Sequence, residues 1–127
     1  MRFLLVSALC LMVTPVVAQE APPAFNKCLA CHAIGEDAVN KVGPRLNGVV
    51  GRPVGSLDDY SYSQAMLAAR DSGVEWNRQN LTRFFKLPKH FLPGTSMAFA
   101  GMTQRAEIDA LIDYLASFDA DGARIAP

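Results

Sequence analysis

Cys28 and Cys31 stand two residues apart, and His32 follows at once. Few chemistries use that spacing, so this segment restricts the fold more than any other. A disulfide between the two cysteines would close a trivial loop and add little by the chain-entropy argument. A thioredoxin-like redox pair also uses C-x-x-C, but it wants a strand before the pair and a β-α-β pattern around it. Pro22, Pro23 and the helix-like residues here give neither. A zinc site needs four ligands. The only other histidine is His90, and the third cysteine, Cys10, lies in a segment expected to be removed. What remains is C-x-x-C-H as the signature of covalent haem attachment. Each thiol adds across one of two vinyl groups on one edge of the ring, and two intervening residues let one helical turn reach both. The next residue, His32, then turns its imidazole toward the iron.

The first residues read as a secretory signal peptide. Arg2 supplies the positive end, residues 3–13 an apolar run, Pro15 a break, and Val16 and Ala18 the small cleavage positions. The run is roughly half of the ~20 residues a spanning helix needs, which argues against a retained membrane anchor. Bulky Leu9 before Cys10 argues against lipidation. Residues 1–18 are thus expected to be cleaved, leaving residues 19–127 as one exported domain. Losing Arg2 leaves 11 Lys/Arg against 12 Asp/Glu. That near-neutral balance points to neither nucleic acid nor an anionic membrane. The charges are nevertheless unevenly placed: residues 41–89 hold eight bases and four acids, whereas acids dominate from Arg105 onward. Such a chain can present a positive face without being basic overall.

Strand signals are weak and helical patterns recur, so the expected class is all-α. Helices are expected over residues 23–31, 61–70, 77–87 and 103–118. In the last, Thr103 offers a cap, and Ile108, Leu111, Ile112, Leu115 and Phe118 follow helical spacing. Pro88 should stop the third. Two glycine- and proline-rich stretches, residues 33–59 and 89–102, are too long for unsupported loops in a compact domain. A rigid apolar disc would give them something to wrap. A domain of this size buries only a modest fraction of its surface, so a large apolar group in the core would also help it fold.

Haem iron has two axial positions. After cleavage, Met66, Met97 and Met102 are the methionines that could fill the one opposite His32. Met97 follows Pro93-Gly94-Thr95-Ser96, and a Pro-Gly turn can carry a thioether to the far face of the ring. Taken alone, Met97 reads first as a packing residue, the usual work of methionine.

These blocks together resemble the class I cytochromes c. The resemblance rests on Cys28-Leu-Ala-Cys31-His32, Lys41-Val-Gly43-Pro44-Arg-Leu46-Asn-Gly48 and Gly51-Arg52. It continues through Tyr60-Ser-Tyr62-Ser, Gly73-Val-Glu-Trp76, Pro93-Gly-Thr-Ser-Met97, Phe99-Ala-Gly101 and Leu111-Ile-Asp-Tyr114-Leu115. It covers nearly all of residues 19–127. It implies a small class I cytochrome c fold, with helices and long loops wrapped around one covalent haem c. It also implies iron ligation by His32 and Met97, with the Pro44 carbonyl accepting a hydrogen bond from the His32 ring. Arg52, Tyr62 and Trp76 match positions that hold the haem propionates, Phe99 one that packs on the haem, and Phe25 and Tyr114 a contact between the first and last helices.

Three positions depart from the family. Phe84 replaces a common tyrosine and Met66 a common asparagine, so two polar groups beside the haem are lost. Ala21-Pro22-Pro23-Ala24 replaces a glycine-led first turn, so the first helix is expected to begin late. The resemblance implies a monomeric one-electron carrier without a stable membrane anchor. Its transient partners would be redox proteins: a quinol-cytochrome c reductase, a terminal oxidase, a photosynthetic reaction centre or a dehydrogenase. Lys27, Lys41, Lys89 and Arg45 are the bases expected near the haem edge. A haem peroxidase would require an open iron position, which His32 and Met97 together would deny, and His90 reads as a surface residue.

Overall fold

The computed structural model describes residues 19–125; the expected signal peptide lies outside them. A short 3-10 helix, Pro23–Lys27, is followed by four α-helices: α1 Gln64–Asp71, α2 Arg78–Lys86, α3 Pro88–Phe91 and α4 Arg105–Ala116. Among the described residues there is no strand, only isolated bridges at Pro53–Glu75 and Phe118–Arg124. None of the helices is long and apolar enough to cross a membrane.

The helices begin where side chains or prolines satisfy their free N–H groups. Ser63 accepts from Met66 N in front of α1, and Asn77 from Asn80 N (2.8 Å) in front of α2. Pro88 ends α2 as expected, but it also opens a further turn, α3, because a first-turn proline has no N–H to lose. The expected cap at Thr103 is displaced. Gln104 occupies the cap position of α4 without a side-chain bond, and the helix stops at Ala116, two residues before the expected end. The first helix is shorter than expected. Pro22 and Pro23 set extended and first-turn backbone in succession, and a single 3-10 helix of five residues results.

Ile108, Leu111, Ile112, Tyr114 and Leu115 bury one face of α4. Phe25 from the 3-10 helix meets Tyr114 at 4.9 Å between ring centroids, and Phe118 meets Tyr114 at 5.3 Å. Leu81, Phe84 and Phe85 form the buried face of α2, and on its exposed side Arg78 pairs with Asp109 and Asp113 of α4. The chain leaving α3 turns at Pro93-Gly94, where Thr95 N donates to Leu92 O (3.0 Å) and Gly94 takes φ +86°. Proline followed by a positive-φ glycine is the type II turn. The segment then returns to α2, where Met102 N donates to Phe85 O (2.7 Å). Residues 95–101 are thereby carried across the end of α2.

Ile112 is completely buried. Ile112→Ala should cost the mature protein about 2–5 kcal/mol, the usual penalty for deleting a core aliphatic side chain. Denaturant unfolding of the two proteins measures it.

Candidate haem site

The apolar faces of α2 and α4, the 3-10 helix and both long loops converge on one cavity of about 220 Å³. Its walls are largely apolar, which suits a large apolar partner that keeps them from water.

Cys28, Cys31 and His32 line this cavity from one tight turn. Cys31 N and His32 N both donate to Cys28 O, at 3.1 and 2.9 Å. Burial pushes the Cys28 thiol above its ordinary pKa, with Lys27 pulling weakly the other way. A thiol held protonated is the reverse of the activated thiolate that a redox pair requires. His32 Nδ1 lies 2.6 Å from Pro44 O. A carbonyl only accepts, so the proton sits on Nδ1 and the Nε2 lone pair is free. Burial lowers the His32 pKa below 6.5, outweighing the Pro44 bond that raises it, so the ring stays neutral and able to ligate a metal. Gly43 permits this placement by having no side chain. A Cβ there would stand 2.7 Å from both ring nitrogens of His32.

The second group of residues is polar. Arg52 lines the cavity, donates from Nη1 to Asn47 O (2.8 Å), and keeps its Nε buried with no partner. Burial lowers its pKa, Tyr62 counteracts this, and Arg45 adds to it. A buried cation with an unspent donor fits an anion brought by the cavity's occupant. Tyr62 also lines the cavity; its hydroxyl accepts weakly from Leu57 N (3.4 Å) and keeps its own proton to donate. Burial raises its pKa most, so it remains a neutral donor. Trp76 lies on the same lining, its ring 4.9 Å from that of Phe84.

Met97 and Phe99 line the cavity from the returning segment. Met97 N donates to Thr95 Oγ1 (3.3 Å), so the turn at Pro93-Gly94 orients the methionine directly. All nine residues singled out from the sequence (Cys28, Cys31, His32, Pro44, Arg52, Tyr62, Trp76, Met97 and Phe99) thus meet at one cavity. Phe84 and Met66 line it too, so the two departures from the family make it less polar. His90 does not. It lies in a neighbouring surface groove with Leu87, Lys89 and Phe99.

A neutral imidazole, a thioether, two thiols and an unsatisfied buried guanidinium around an apolar slot suit an iron macrocycle bearing carboxylates. No family model matches the chain. Individual proteins do. Cytochrome c-550 of Bradyrhizobium diazoefficiens is 50% identical over 105 residues, covering 83% of this chain and 75% of that protein. Cytochrome c2 of Agrobacterium tumefaciens is 52% identical over 92 residues, covering 72% and 83%. The chain belongs to the class I cytochromes c. The solved cytochrome c2 of Rhodospirillum centenum superposes with a TM-score of 0.71 at 32% identity, covering 76% of this cytochrome and 92% of its neighbour. Cytochrome cH of Methylobacterium extorquens gives 0.65 at 39%, covering 72% and 89%. The cofactor of this cytochrome is accordingly one covalent haem c, and its activity is electron transfer rather than enzymatic catalysis.

Sequence reading missed Asn47 and Tyr60. Tyr60 OH donates to Val42 O (2.6 Å) and its ring meets Tyr62 at 4.9 Å, closing the cavity's mouth. Asn47 holds Gly35 by both amide atoms. Their roles have little local signal, because the side-chain hydrogen bonds that fix them reach 12 residues away for Asn47 and 18 for Tyr60. Of the expected basic edge, Lys27 lines the cavity and Lys41 Nζ donates to Leu29 O (2.7 Å). Arg45 is held by Asp59 at 2.6 Å, and Lys89 belongs to α3.

Gly43→Ala should push the His32 ring off Pro44 and destabilise the mature protein by about 1–3 kcal/mol, the range for overpacking. Thermal unfolding, with the ring-proton NMR shifts of His32, reports both effects.

Proposed function

We propose that this cytochrome is a soluble periplasmic one-electron carrier, exported by cleavage of residues 1–18. Its haem is attached to Cys28 and Cys31 and ligated by His32 on one face and Met97 on the other. The observation that carries this reading is that two thiols, an Nδ1-protonated imidazole and a turn-delivered thioether line the same cavity. The bound haem supplies a single iron that alternates between two oxidation states.

The residues of this chain do the rest. Pro44 and Gly43 fix the His32 ring in one orientation and one tautomer, and such bonds also raise ligand basicity. His32 and Met97 would hold the iron, and imidazole with thioether ligation would raise its reduction potential. Arg52, Tyr62 and Trp76 hold the carboxylates, which leaves no uncompensated charge in the slot. Phe84, Phe85, Leu111, Leu115 and Phe99 exclude water on the remaining sides. A rigid, dry lining gives similar surroundings to both iron charges.

Partners would meet the edge beside the attachment turn. Leu29 and Val42 are exposed there, at 46% and 76%, next to Lys27 and Lys41. A small apolar centre rimmed by cations suits brief contact with an acidic redox protein: a quinol-cytochrome c reductase, a terminal oxidase, a photosynthetic reaction centre or a dehydrogenase. Complementary charge raises the encounter rate more than the affinity. The association rate with such a partner should fall as ionic strength rises; a rate independent of salt would exclude this docking edge.

The ligand assignment has its own test in the optical spectrum of the ferric protein at neutral pH. The parent should show the methionine-to-iron charge-transfer band. Met97→Ala should abolish it while the haem stays covalently attached, and His90→Ala should leave it unchanged. Persistence of the band in Met97→Ala would refute ligation by Met97.

A further inference from the structure

Asn47 is a buried polar side chain, 4% exposed, in the loop that follows His32. It spends both amide atoms on one residue. Oδ1 accepts from Gly35 N and Nδ2 donates to Gly35 O, each at 2.9 Å. This double bond pair closes a ring of chain that contains Gly43 and Pro44, the two residues set against the His32 imidazole. The backbone carbonyl of Asn47 in turn accepts Arg52 Nη1 at 2.8 Å. Asn47 does not itself line the cavity, whereas Arg52 does, with Nε buried and unpaired.

The C-terminal turn lies against the same grip. Gly122 takes φ +86°, and a Cβ there would run into the Gly35 carbonyl and stand 2.6 Å from Asn47 Nδ2. Ala120 passes equally close to Gly48, where an added Cβ would be 2.9 Å from its Cα. The turn is itself braced. Asp119 Oδ1 accepts from Asp121 N and Ala123 N, both at 2.9 Å. Arg124 lies over the rings of Phe118 and Tyr114, at 4.1 and 5.0 Å, and donates to Ser117 Oγ at 2.8 Å.

We propose that Asn47 is a positioning residue that aims the Arg52 guanidinium into the haem cavity, and that the turn at Gly122 locks it in place. The proposal rests on the function proposed above. A guanidinium is a planar fork, so fixing Nη1 on a carbonyl that cannot shift fixes where the remaining donors point. The carbonyl cannot shift because the side chain of the same residue is tied to Gly35 and covered by Gly122. Arg52 then presents Nε and its other N–H groups to an anion at no further cost in side-chain ordering. The charged and titratable groups facing Arg52 are Tyr62 and Arg45, with Tyr60 and Asp59 facing Tyr62.

The test is the midpoint potential of the holoprotein as a function of pH. Ionisation of a haem carboxylate makes the potential fall, so the curve bends at its pKa. In Asn47→Leu the amide grip is gone while the branching at Cγ is kept. Arg52 then holds the carboxylate less well, and the bend should move up by about one pH unit. Gly122→Ala, which drives a methyl group into the grip, should shift it in the same direction and carries the test if Asn47→Leu fails to mature. In an Arg52→Gln background, Asn47→Leu should give no additional shift although it still lowers the unfolding temperature. A lowered unfolding temperature with an unmoved bend would overturn the proposal, as would an equal shift in the Arg52→Gln background. Attached haem with an intact charge-transfer band in the parent distinguishes those results from failure of the electron-carrier reading, which would also overturn this proposal.

Discussion

The fold depends on a flat apolar slot that no side chain of the protein fills. Helices α2 and α4 each contribute one face to it, and α1 contributes Met66. Leu81, Phe84 and Phe85 of α2 and Leu111 and Leu115 of α4 turn toward the same space, and the 3-10 helix adds the turn of Cys28, Cys31 and His32. The long loops have no sheet to rest on, and their apolar residues Val42, Leu46, Val49, Met97 and Phe99 also point there. A covalent apolar cofactor there completes the core as well as supplying the chemistry. Attachment through two thioethers also removes the possibility of the core leaving.

The polar residues obey the same constraint. Burial acts on His32, Arg52 and Tyr62 around the slot, and each has a specific answer. His32 is kept neutral by burial and oriented by Pro44. Tyr62 stays protonated. Arg52 keeps Nε buried without a partner, and an anionic edge of the cofactor would satisfy it. Exposed charges sit elsewhere, in surface pairs such as Arg78 with Asp109 and Arg105 with Asp109, which contribute little singly.

Much of the site was legible in the sequence because haem attachment uses rare residues at a fixed local spacing. Cys28, Cys31 and His32 could be read from five positions, whereas Met97 entered only through the family resemblance, since the proline–glycine turn by itself left it a packing residue. The helical periodicity of α4 was equally plain. What escaped was non-local or a matter of backbone detail. Asn47 acts through Gly35, twelve residues away, and Gly122 through a contact across most of the chain. The length of the first helix was lost to two consecutive prolines, and α3 to the dual behaviour of Pro88, which ends one helix and opens the next. Sequence periodicity reports which face is buried; it says little about where a cap will fall.

The central claim is that a macrocycle is stitched to this chain and completes its core. The most direct measurement is the intact mass of the purified protein, made in a host that matures c-type cytochromes, after treatment with a thiol-blocking reagent. The account predicts one added haem and no blocked thiol among Cys28 and Cys31. A haem-free chain carrying two blocked thiols would contradict it.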